Sequence, residues 1–199
     1  MISDYIAHHT PSGILEWGCG TGRHLRNLLQ IPNVEVFGFD QSETMLYADL
    51  TWASVDWRTS HLVVGDPTGP LPYPDAYFDI VFTCEALLHT RPDDLRQLLT
   101  EMVRICRGHI LHMESPVSWN GYSPSCNGCW GHDLVSAYRD IGRECESLAS
   151  GLSRQTPYLI VVNRDSVRWV WHPVMFSLYH RLEARLEEGF AQAGFPAYA

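Results

Sequence analysis

The sequence has few basic residues and no long apolar run. Lysine and arginine together number 14 against 23 aspartates and glutamates, so the formal net charge of the 199 residues is −9. General affinity for nucleic acid needs a basic surface, which this balance disfavours. No apolar run approaches the roughly 20 residues of a membrane-spanning helix, and the first residues lack the charged and apolar regions of a signal peptide. These absences predict a cytoplasmic protein with neither nucleic acid nor membrane as a general partner.

The sequence also lacks internal repeats, low-complexity tracts and long linkers, and its cysteines show no regular spacing. Six cysteines are scattered through the sequence, some of them within apparent core elements. Scattered cysteines in a chain of this length are typical of reduced thiols rather than of a disulfide framework. A chain of this size can bury a sizeable core. We expect a single domain over residues 1–199, with a C-terminal helical extension at about 173–193.

Short apolar segments alternate with helical segments along the chain. This alternation is typical of βαβ units, in which helices connect parallel strands. The predicted strands are 13–17, 34–39, 61–64, 78–83 and 109–113, followed by an antiparallel pair near 145–150 and 158–163. The predicted helices are 23–30, 42–52, 92–106, 132–142 and 173–193. The sequence thus predicts an α/β fold with a Rossmann-like doubly wound sheet of about seven mostly parallel strands, an antiparallel edge pair, and helices on both faces.

The predicted tail helix carries Leu178, Leu182, Leu186 and Phe190 at a spacing of four residues. An apolar stripe of this kind packs against another apolar surface. The sequence leaves three roles for this segment: it could pack onto the sheet, cover an active site or form a homodimer contact.

Three glycines follow the first predicted strand in the pattern Gly18-x-Gly20-x-Gly22. Such a turn lets backbone N–H groups and a helix N-terminus approach a ligand that side chains would keep away. The spacing differs from the dinucleotide pattern G-x-G-x-x-G, because Arg23 stands in place of the third glycine. A phosphate-binding P-loop is excluded because no Gly-Lys-Ser/Thr follows. Glu16, just before the turn, adds a carboxylate that could anchor an ammonium group.

Two acids stand at the predicted carboxyl ends of the next strands. Asp40 ends the second strand, where a carboxylate can accept hydrogen bonds from both hydroxyls of a ribose. Asp66 follows the third strand, where it could accept a hydrogen bond from an adenine amino group. An acid at a strand end is otherwise a common turn residue. Because ligands of open α/β sheets bind at this edge, the acids and the glycine turn together predict a nucleoside-containing cofactor.

These segments resemble the motifs of class I S-adenosylmethionine-dependent methyltransferases. The similar segments are ILEWGCGTG at 14–22, FGFDQSETM at 37–45, VGD at 64–66 and FDIVFTCEALLH at 78–89. The resemblance covers residues 12 to about 165. It implies S-adenosylmethionine as cofactor and S-adenosylhomocysteine as product. The cofactor-binding residues that it implies are Glu16, Gly18, Cys19, Gly20, Gly22, Asp40, Gln41, Met45, Gly65, Asp66, Pro67, Cys84, Glu85 and Ala86.

Two further segments resemble a smaller group, the methylases found with pseudaminic acid biosynthesis genes. They are LLHTRPDDL at 87–95 and ILHMESP at 110–116. The chain departs from the common class pattern at both ends, with about 12 residues before the first strand and about 35 beyond the sheet. Substrate specificity is usually set in these parts, so the resemblance does not identify the acceptor.

Four residues are candidates for a general base. Methyl transfer to a hydroxyl needs such a base, whereas an amine needs only to be unprotonated. The candidates are His89, Glu114, His132 and Asp133. Each also has a plain structural interpretation, as a histidine at a helix end, an acid at a strand end or a favourable charge at a helix start. The aromatic loop at 119–122 and Trp130 could wall an acceptor pocket, or could pack as an ordinary loop.

One cysteine motif raises the question of a metal. Cys126, Cys129 and His132 form the pattern C-x2-C-x2-H, which could hold a tetrahedral zinc ion with Cys145 or His172 as fourth ligand. No second C-x2-C pair accompanies it. Two free thiols and a local redox pair are the competing interpretations, and we expect no metal.

The sequence as a whole predicts an enzyme that transfers a methyl group from S-adenosylmethionine to an oxygen or nitrogen of a small-molecule acceptor. The alternatives are a methyltransferase acting on protein or RNA, and a catalytically inactive S-adenosylmethionine-binding module. The acidic charge argues against RNA. An inactive module would not need Glu16, the glycines, Asp40 and Asp66 together. A nicotinamide oxidoreductase is disfavoured by Arg23.

Overall fold

Helices and strands alternate along the chain. The computed structural model describes residues 13–30, 33–48, 52–114, 121–122, 128–147 and 156–162, all within a compact unit that spans 11–167. The strands are β1 Gly13–Trp17, β2 Glu35–Asp40, β3 Leu62–Val64, β4 Phe78–Cys84, β5 Cys106–Glu114, β6 Gly121–Tyr122, β7 Trp130–Gly131, β8 Glu146–Ser147 and β9 Thr156–Val161. The helices are α1 Arg23–Leu28, α2 Glu43–Ala48, α3 Val55–His61, α4 Pro92–Ile105 and α5 Leu134–Asp140, with a 3-10 turn at Leu87–His89. The predicted tail helix at 173–193 lies outside the described residues.

Seven strands form one sheet in the order β3-β2-β1-β4-β5-β9-β8. The first five in this order run parallel to their neighbours. β9 is antiparallel to β5, and β8 is antiparallel to β9. The predicted α/β fold with an antiparallel edge pair is therefore confirmed. Because β2 lies on one side of β1 and β4 on the other, the strand order reverses at β1, and the carboxyl ends there form the crevice in which open α/β sheets bind ligands.

Several element boundaries differ from the predicted ones for local reasons. The sequence predicts one helix over 42–52, whereas the structure has α2 at Glu43–Ala48 and a separate helix, α3, at Val55–His61. α3 begins there because Ser54 caps its N-terminus by accepting a hydrogen bond from the N–H of Trp57 at 3.2 Å. β5 begins at Cys106, directly after α4, rather than at His109. The short antiparallel pair of β6 and β7 has no counterpart in the sequence pattern.

The core is built on the central strands and α4. All five residues of β1 are buried, as expected for a strand between β2 and β4. α4 buries the face made of Leu95, Leu98, Leu99, Met102 and Ile105. Full burial of one such side chain contributes roughly 1.5–3 kcal/mol, so this packing holds the central strands, and with them the carboxyl edge, in place. Within the described ranges, no helix combines the length and apolar character needed to cross a membrane.

Candidate active site

The glycine turn after β1 has a backbone that other residues rarely adopt. Gly18, Gly20 and Gly22 have φ angles of 75°, 53° and 79°, in the left-handed region that glycine enters without steric cost. The N–H of Gly18 donates to the carbonyl of Phe39 at 2.8 Å. A Cβ at Gly18 would collide with Ala86, whereas a Cβ at Gly20 would have no neighbour closer than 3.8 Å among the described residues. The turn is thus tightly packed at its start and open at its middle.

Asp40 ties this turn to the end of β2. Its Oδ2 accepts a hydrogen bond from the N–H of Gly20 at 2.7 Å, and its Oδ1 accepts one from the N–H of Ser42 at 2.8 Å. Each carboxylate oxygen has two lone pairs, so each has a second site for a ligand donor. The predicted role of Asp40 as a ribose ligand fits this geometry and stays a prediction.

Glu16 lies buried at the base of the turn, with 2% of its surface exposed. Its Oε2 has no hydrogen-bond partner in the described part of the chain. Burial raises the pKa of this carboxyl well above its ordinary value; the nearby charge of Arg23 opposes the rise and that of Asp40 adds to it. A buried polar atom without a partner costs about 1–3 kcal/mol. A ligand that brings a positively charged donor would remove this cost, which is what the predicted ammonium contact requires.

Asp66 uses one of its carboxylate oxygens within its own loop. Oδ1 accepts hydrogen bonds from the N–H and the hydroxyl of Thr68 at 2.8 and 2.7 Å, and these bonds hold the pKa of Asp66 below its ordinary value. The preceding Gly65 donates its N–H to the carbonyl of Asp40 at 3.1 Å. This bond brings the loop beside the end of β2. The role of Asp66 toward an adenine stays a prediction.

The other predicted cofactor residues are near the carboxyl ends of β1 to β4. They are Cys19, Gln41, Met45, Pro67, Cys84, Glu85 and Ala86. Met45 is 48% exposed, and its Cε is the atom nearest to a Cβ placed at Gly20. Burial raises the pKa of Cys84 to about 12, so its thiol stays protonated. Glu85 has a φ of 52°, uncommon for a residue with a side chain, where the chain turns after β4.

Glu114 ends β5 in a buried position next to this turn. Its Oε1 accepts hydrogen bonds from the hydroxyl of Thr83 at 2.6 Å and the N–H of Ala86 at 3.3 Å. Its Oε2 accepts one from the N–H of Leu87 at 3.2 Å. Burial raises the pKa of Glu114 to about 7, although these bonds act in the opposite direction. A carboxyl with a pKa near neutrality is suited to proton exchange.

Two further buried side chains continue from Thr83. Nδ1 of His112 lies 2.8 Å from the hydroxyl oxygen of Thr83, and its Nε2 lies 2.7 Å from the hydroxyl of Tyr138. All three side chains are fully buried. Burial lowers the pKa of His112 to about 3, so the imidazole is neutral. Sequence reasoning missed this chain of contacts, and its only signal was a polar residue inside each of two apolar strands.

A small pocket opens beside Glu114. Its lining is Leu87, Leu88, Glu114, Trp130, His132 and Leu134. The two leucines at 87 and 88 follow β4, Glu114 ends β5, and the other three residues lie in or after β7. The pocket is therefore mostly apolar, with one carboxylate, at the same edge of the sheet as the glycine turn.

His132 holds the 3-10 turn that forms one wall of this pocket. Its Nε2 donates hydrogen bonds to the carbonyls of Leu87 and Thr90, both at 3.0 Å. Because carbonyl oxygens only accept, this nitrogen carries a proton. Burial lowers the pKa of His132 and so favours the neutral ring. Because Nε2 carries the proton of that ring, Nδ1 is the nitrogen with a lone pair.

Asp133 and His89 are not among the residues that line the pocket. Asp133 is exposed and caps α5, where its carboxylate accepts hydrogen bonds from the N–H and hydroxyl of Ser136 at 3.0 and 2.7 Å. His89 is exposed, with Nδ1 3.8 Å from the sulfur of Cys129. Of the four predicted base candidates, the structure brings Glu114 and His132 together at the pocket.

The metal alternative does not fit the structure. Cys129 is disulfide-bonded, so its sulfur is not a thiolate that could bind zinc. Nε2 of His132 is occupied by the two carbonyls, and Cys126 lies outside the described residues. The free cysteines are Cys19, Cys84, Cys106 and Cys145. The expectation of reduced thiols is thus correct for these and wrong for Cys129.

Arg23 is a second feature that sequence reasoning undervalued. In the sequence it serves only to exclude a dinucleotide pattern, although it directly follows the glycine turn. In the structure its charge favours the ionised forms of both Glu16 and Cys84. Its side chain is exposed and lies 3.1 Å from Nε2 of His24. A guanidinium in this position could meet an anionic group of the ligand.

Comparison with known proteins identifies the family. Residues 14–109 match the family model described as a methyltransferase domain. An S-adenosylmethionine-dependent methyltransferase from Aquifex aeolicus is 15% identical, with 81% of this chain and 89% of that chain covered and a TM-score of 0.57. One from Archaeoglobus fulgidus is 15% identical, with coverage of 80% and 92% and a TM-score of 0.57. A TehB-like one from Corynebacterium glutamicum is 17% identical, with coverage of 80% and 85% and a TM-score of 0.55. The sequence matches none of the curated proteins.

The solved structures share the fold, and the family match covers the glycine turn, Asp40, Asp66 and β4. Two observations fit the cofactor of this family. The middle of the glycine turn is open, and Glu16 presents a buried oxygen without a partner in the described part of the chain. Residues 14–109 are thus similar to a methyltransferase domain, and this match together with the shared fold supports a class I S-adenosylmethionine-dependent methyltransferase with S-adenosylmethionine as its cofactor.

Proposed function

We propose that this methyltransferase acts on a small molecule and methylates an oxygen or nitrogen atom of it. The observation that supports the proposal is the pocket beside Glu114, whose lining is apolar except for Glu114 and His132. Small-molecule sites are concave and mostly apolar, with a few polar groups that orient the ligand. A compact organic acceptor suits such a lining better than a charged polymer does.

The charge of the chain favours the same class of acceptor. The net charge of −9 opposes binding of RNA. The pocket lining contains no lysine or arginine among the described residues, and burial lowers the pKa of His132. The resemblance of 87–95 and 110–116 to the methylases found with pseudaminic acid genes stays a prediction.

Catalysis in this site depends mainly on placement. S-adenosylmethionine supplies an already activated methyl group when bound, so the protein has to position the acceptor and exclude water. Glu16 would hold the cofactor ammonium, and Asp40 its ribose hydroxyls. Leu87 and Trp130 would keep water from the acceptor, and Glu114 would receive a hydrogen bond from it.

The experiment supplies tritium-labelled S-adenosylmethionine to the enzyme with three separate cell fractions: deproteinised small molecules, protein, and RNA. We expect label in the small-molecule fraction, abolished by Asp40→Ala and retained in Glu43→Gln, which changes an exposed acid in the first turn of α2. Label found on protein or RNA alone would overturn the proposal.

A further inference from the structure

We propose that the acceptor group is a hydroxyl, that Glu114 takes its proton, and that Thr83, His112 and Tyr138 are positioning residues that hold Glu114 for this task. The inference rests on the proposed function, because it concerns the acceptor bound in the same pocket. It goes further in naming the acceptor atom and the path of the proton.

Within the part of the chain that the structure describes, the hydrogen bonds of Glu114 leave one acceptor site open. A carboxylate has about four lone-pair sites. Oε1 uses both of its sites, for the hydroxyl of Thr83 and the N–H of Ala86, and Oε2 uses one for the N–H of Leu87. The remaining site belongs to Oε2. Since Glu114 lines the pocket, this is the atom available to an acceptor.

When Glu114 is ionised, each buried hydrogen bond behind it has a fixed donor and a fixed acceptor. The carboxylate can only accept, so the hydroxyl of Thr83 donates its single proton to Oε1. Thr83 must then accept from Nδ1–H of His112. Nε2 of this neutral imidazole therefore accepts from the hydroxyl of Tyr138. Each group has one role, so the chain fixes the tautomer of His112 and keeps the Thr83 proton aimed at Glu114.

The sheet register places these groups together. Thr83 on β4 is the direct cross-strand partner of His112 on β5, and Glu114 lies two positions further along β5, so all three share a face. Tyr138 reaches His112 from α5. These positions are buried and belong to regular elements. They can therefore hold the carboxylate more firmly than a loop would.

Among the described residues, no cation offsets the charge of Glu114 at this site. The titratable groups around it come from four places: Cys84 at the end of β4 and Glu85 directly after it, His112 from β5, His132 from before α5, and Tyr138 from α5. Burial lowers the pKa of both histidines. The negative charge of Glu85 adds to the effect of burial on the pKa of Glu114, which lies at about 7. The carboxyl is therefore a stronger base than an exposed glutamate.

In the proposed step the acceptor oxygen bonds to the methyl carbon while its O–H proton passes to Oε2 of Glu114, and the C–S bond breaks with its electron pair on sulfur. The products are a methyl ether, S-adenosylhomocysteine and neutral Glu114, which returns its proton to solvent after release. An amine fits this site less well. A buried carboxylate would pair with its ammonium form, whose nitrogen has no lone pair for the reaction.

The first test follows the Glu114 carboxyl by ¹³C NMR in the full-length protein with labelled glutamate, where Glu114→Gln identifies its resonance. We expect a midpoint near pH 7 in the wild type. Thr83→Val should raise it by about one pH unit, because a hydrogen bond to the ionised form is lost. Thr83→Ser should restore the midpoint, and Thr100→Val, a matched change at an exposed threonine of α4, should leave it unchanged.

Tyr138→Phe provides a second variant at the far end of the chain. Without the tyrosine hydroxyl, His112 can carry its proton on either ring nitrogen. We therefore expect the titration midpoint of Glu114 to rise, but by less than in Thr83→Val. A merely structural role of Thr83 would alter the unfolding temperature but not the titration. A Glu114 midpoint near 4.5 in the wild type, or one that neither variant moves, would overturn the positioning role.

The second test identifies the methylated product by mass spectrometry and by its resistance to acid and base. A methyl ether supports the inference. An N-methyl product from a small molecule would overturn the hydroxyl assignment and leave the proposed function intact. Label on protein or RNA alone would overturn the proposed function, and the hydroxyl acceptor with it, whereas the titration would still decide whether Thr83 and Tyr138 act on Glu114.

Discussion

Replacing Glu16 by glutamine should show separately how this side chain affects the free energy of unfolding and how it affects the affinity for the cofactor. The carboxyl is 2% exposed, and burial raises its pKa well above the ordinary value. Without ligand it is therefore protonated at pH values where an exposed glutamate is ionised. A neutral amide has nearly the same shape and adds one N–H, so we expect a loss of at most about 1–3 kcal/mol in the free energy of unfolding.

Cofactor binding should suffer differently. Oε2 of Glu16, which has no hydrogen-bond partner among the residues that the structure describes, is the atom proposed to meet the ammonium of S-adenosylmethionine. A hydrogen bond to a charged group contributes about 1.5–3 kcal/mol, so Glu16→Gln should raise the Kd about 10- to 150-fold. The wild type should also release a proton on binding, because Glu16 must ionise. Its affinity should therefore increase as the pH rises through the elevated pKa.

Isothermal titration calorimetry with S-adenosylhomocysteine, which keeps the ammonium, measures both quantities when two buffers of different ionisation enthalpy are compared. Glu43→Gln removes an exposed acid at the start of α2 and serves as the control. An unchanged Kd in Glu16→Gln, or wild-type binding without proton release, would refute the assignment of Glu16 as the ammonium ligand.

Three further predictions concern stability and the remaining base candidates. Gly18→Ala should lower the free energy of unfolding by about 2 kcal/mol or more in urea denaturation, because its φ is 75° and a Cβ would collide with Ala86. In Gly69→Ala a Cβ has no neighbour closer than 3.7 Å among the described residues, so a comparable loss there would contradict this reason. Burial raises the pKa of Glu114 from 4.5 to about 7, which corresponds to about 3 kcal/mol in the free energy of unfolding. This contribution is fully present below pH 4.5 and is lost as the pH rises to 7, because the folded state holds the proton more tightly than the unfolded state does. The difference between wild type and Glu114→Gln in chemical denaturation should follow this curve, and a difference independent of pH would count against it. Asp133→Ala should cost about 1 kcal/mol through loss of the helix cap and leave the methylation rate unchanged, whereas a tenfold slower rate would return Asp133 to the catalytic candidates.

The glycine turn and the position of Asp40 could be predicted because their signals are local. Gly18, Gly20 and Gly22 stand together in the sequence, and a turn that needs positive φ selects glycine whatever the rest of the chain does. Asp40 directly ends β2, and the carboxyl ends of parallel strands lie at one edge. The periodicity of the apolar residues and the order of the elements along the chain were therefore sufficient to predict the sheet, its antiparallel edge pair and the position of these residues.

The acceptor half depended on contacts between distant segments. The sequence alone left His89, Glu114, His132 and Asp133 as equal candidates, because each of these residue types suits a helix or strand end. Tertiary structure separated them, since Asp133 caps α5 and Glu114 meets Thr83, 31 residues away. It likewise showed Cys129 as disulfide-bonded, which the C-x2-C spacing left undecided.

The sequence by itself thus determined the glycine turn, the order of the first strands and the edge of the sheet at which Asp40 lies, because these features depend on neighbouring residues. Its resemblance to methyltransferase motifs indicated the cofactor. Only the tertiary structure decided which carboxylate lines the pocket and which side chains hold it. Strand register and helix packing bring Thr83, His112, Glu114 and Tyr138 together. Burial then moves their pKa values, and burial is a property of the whole fold.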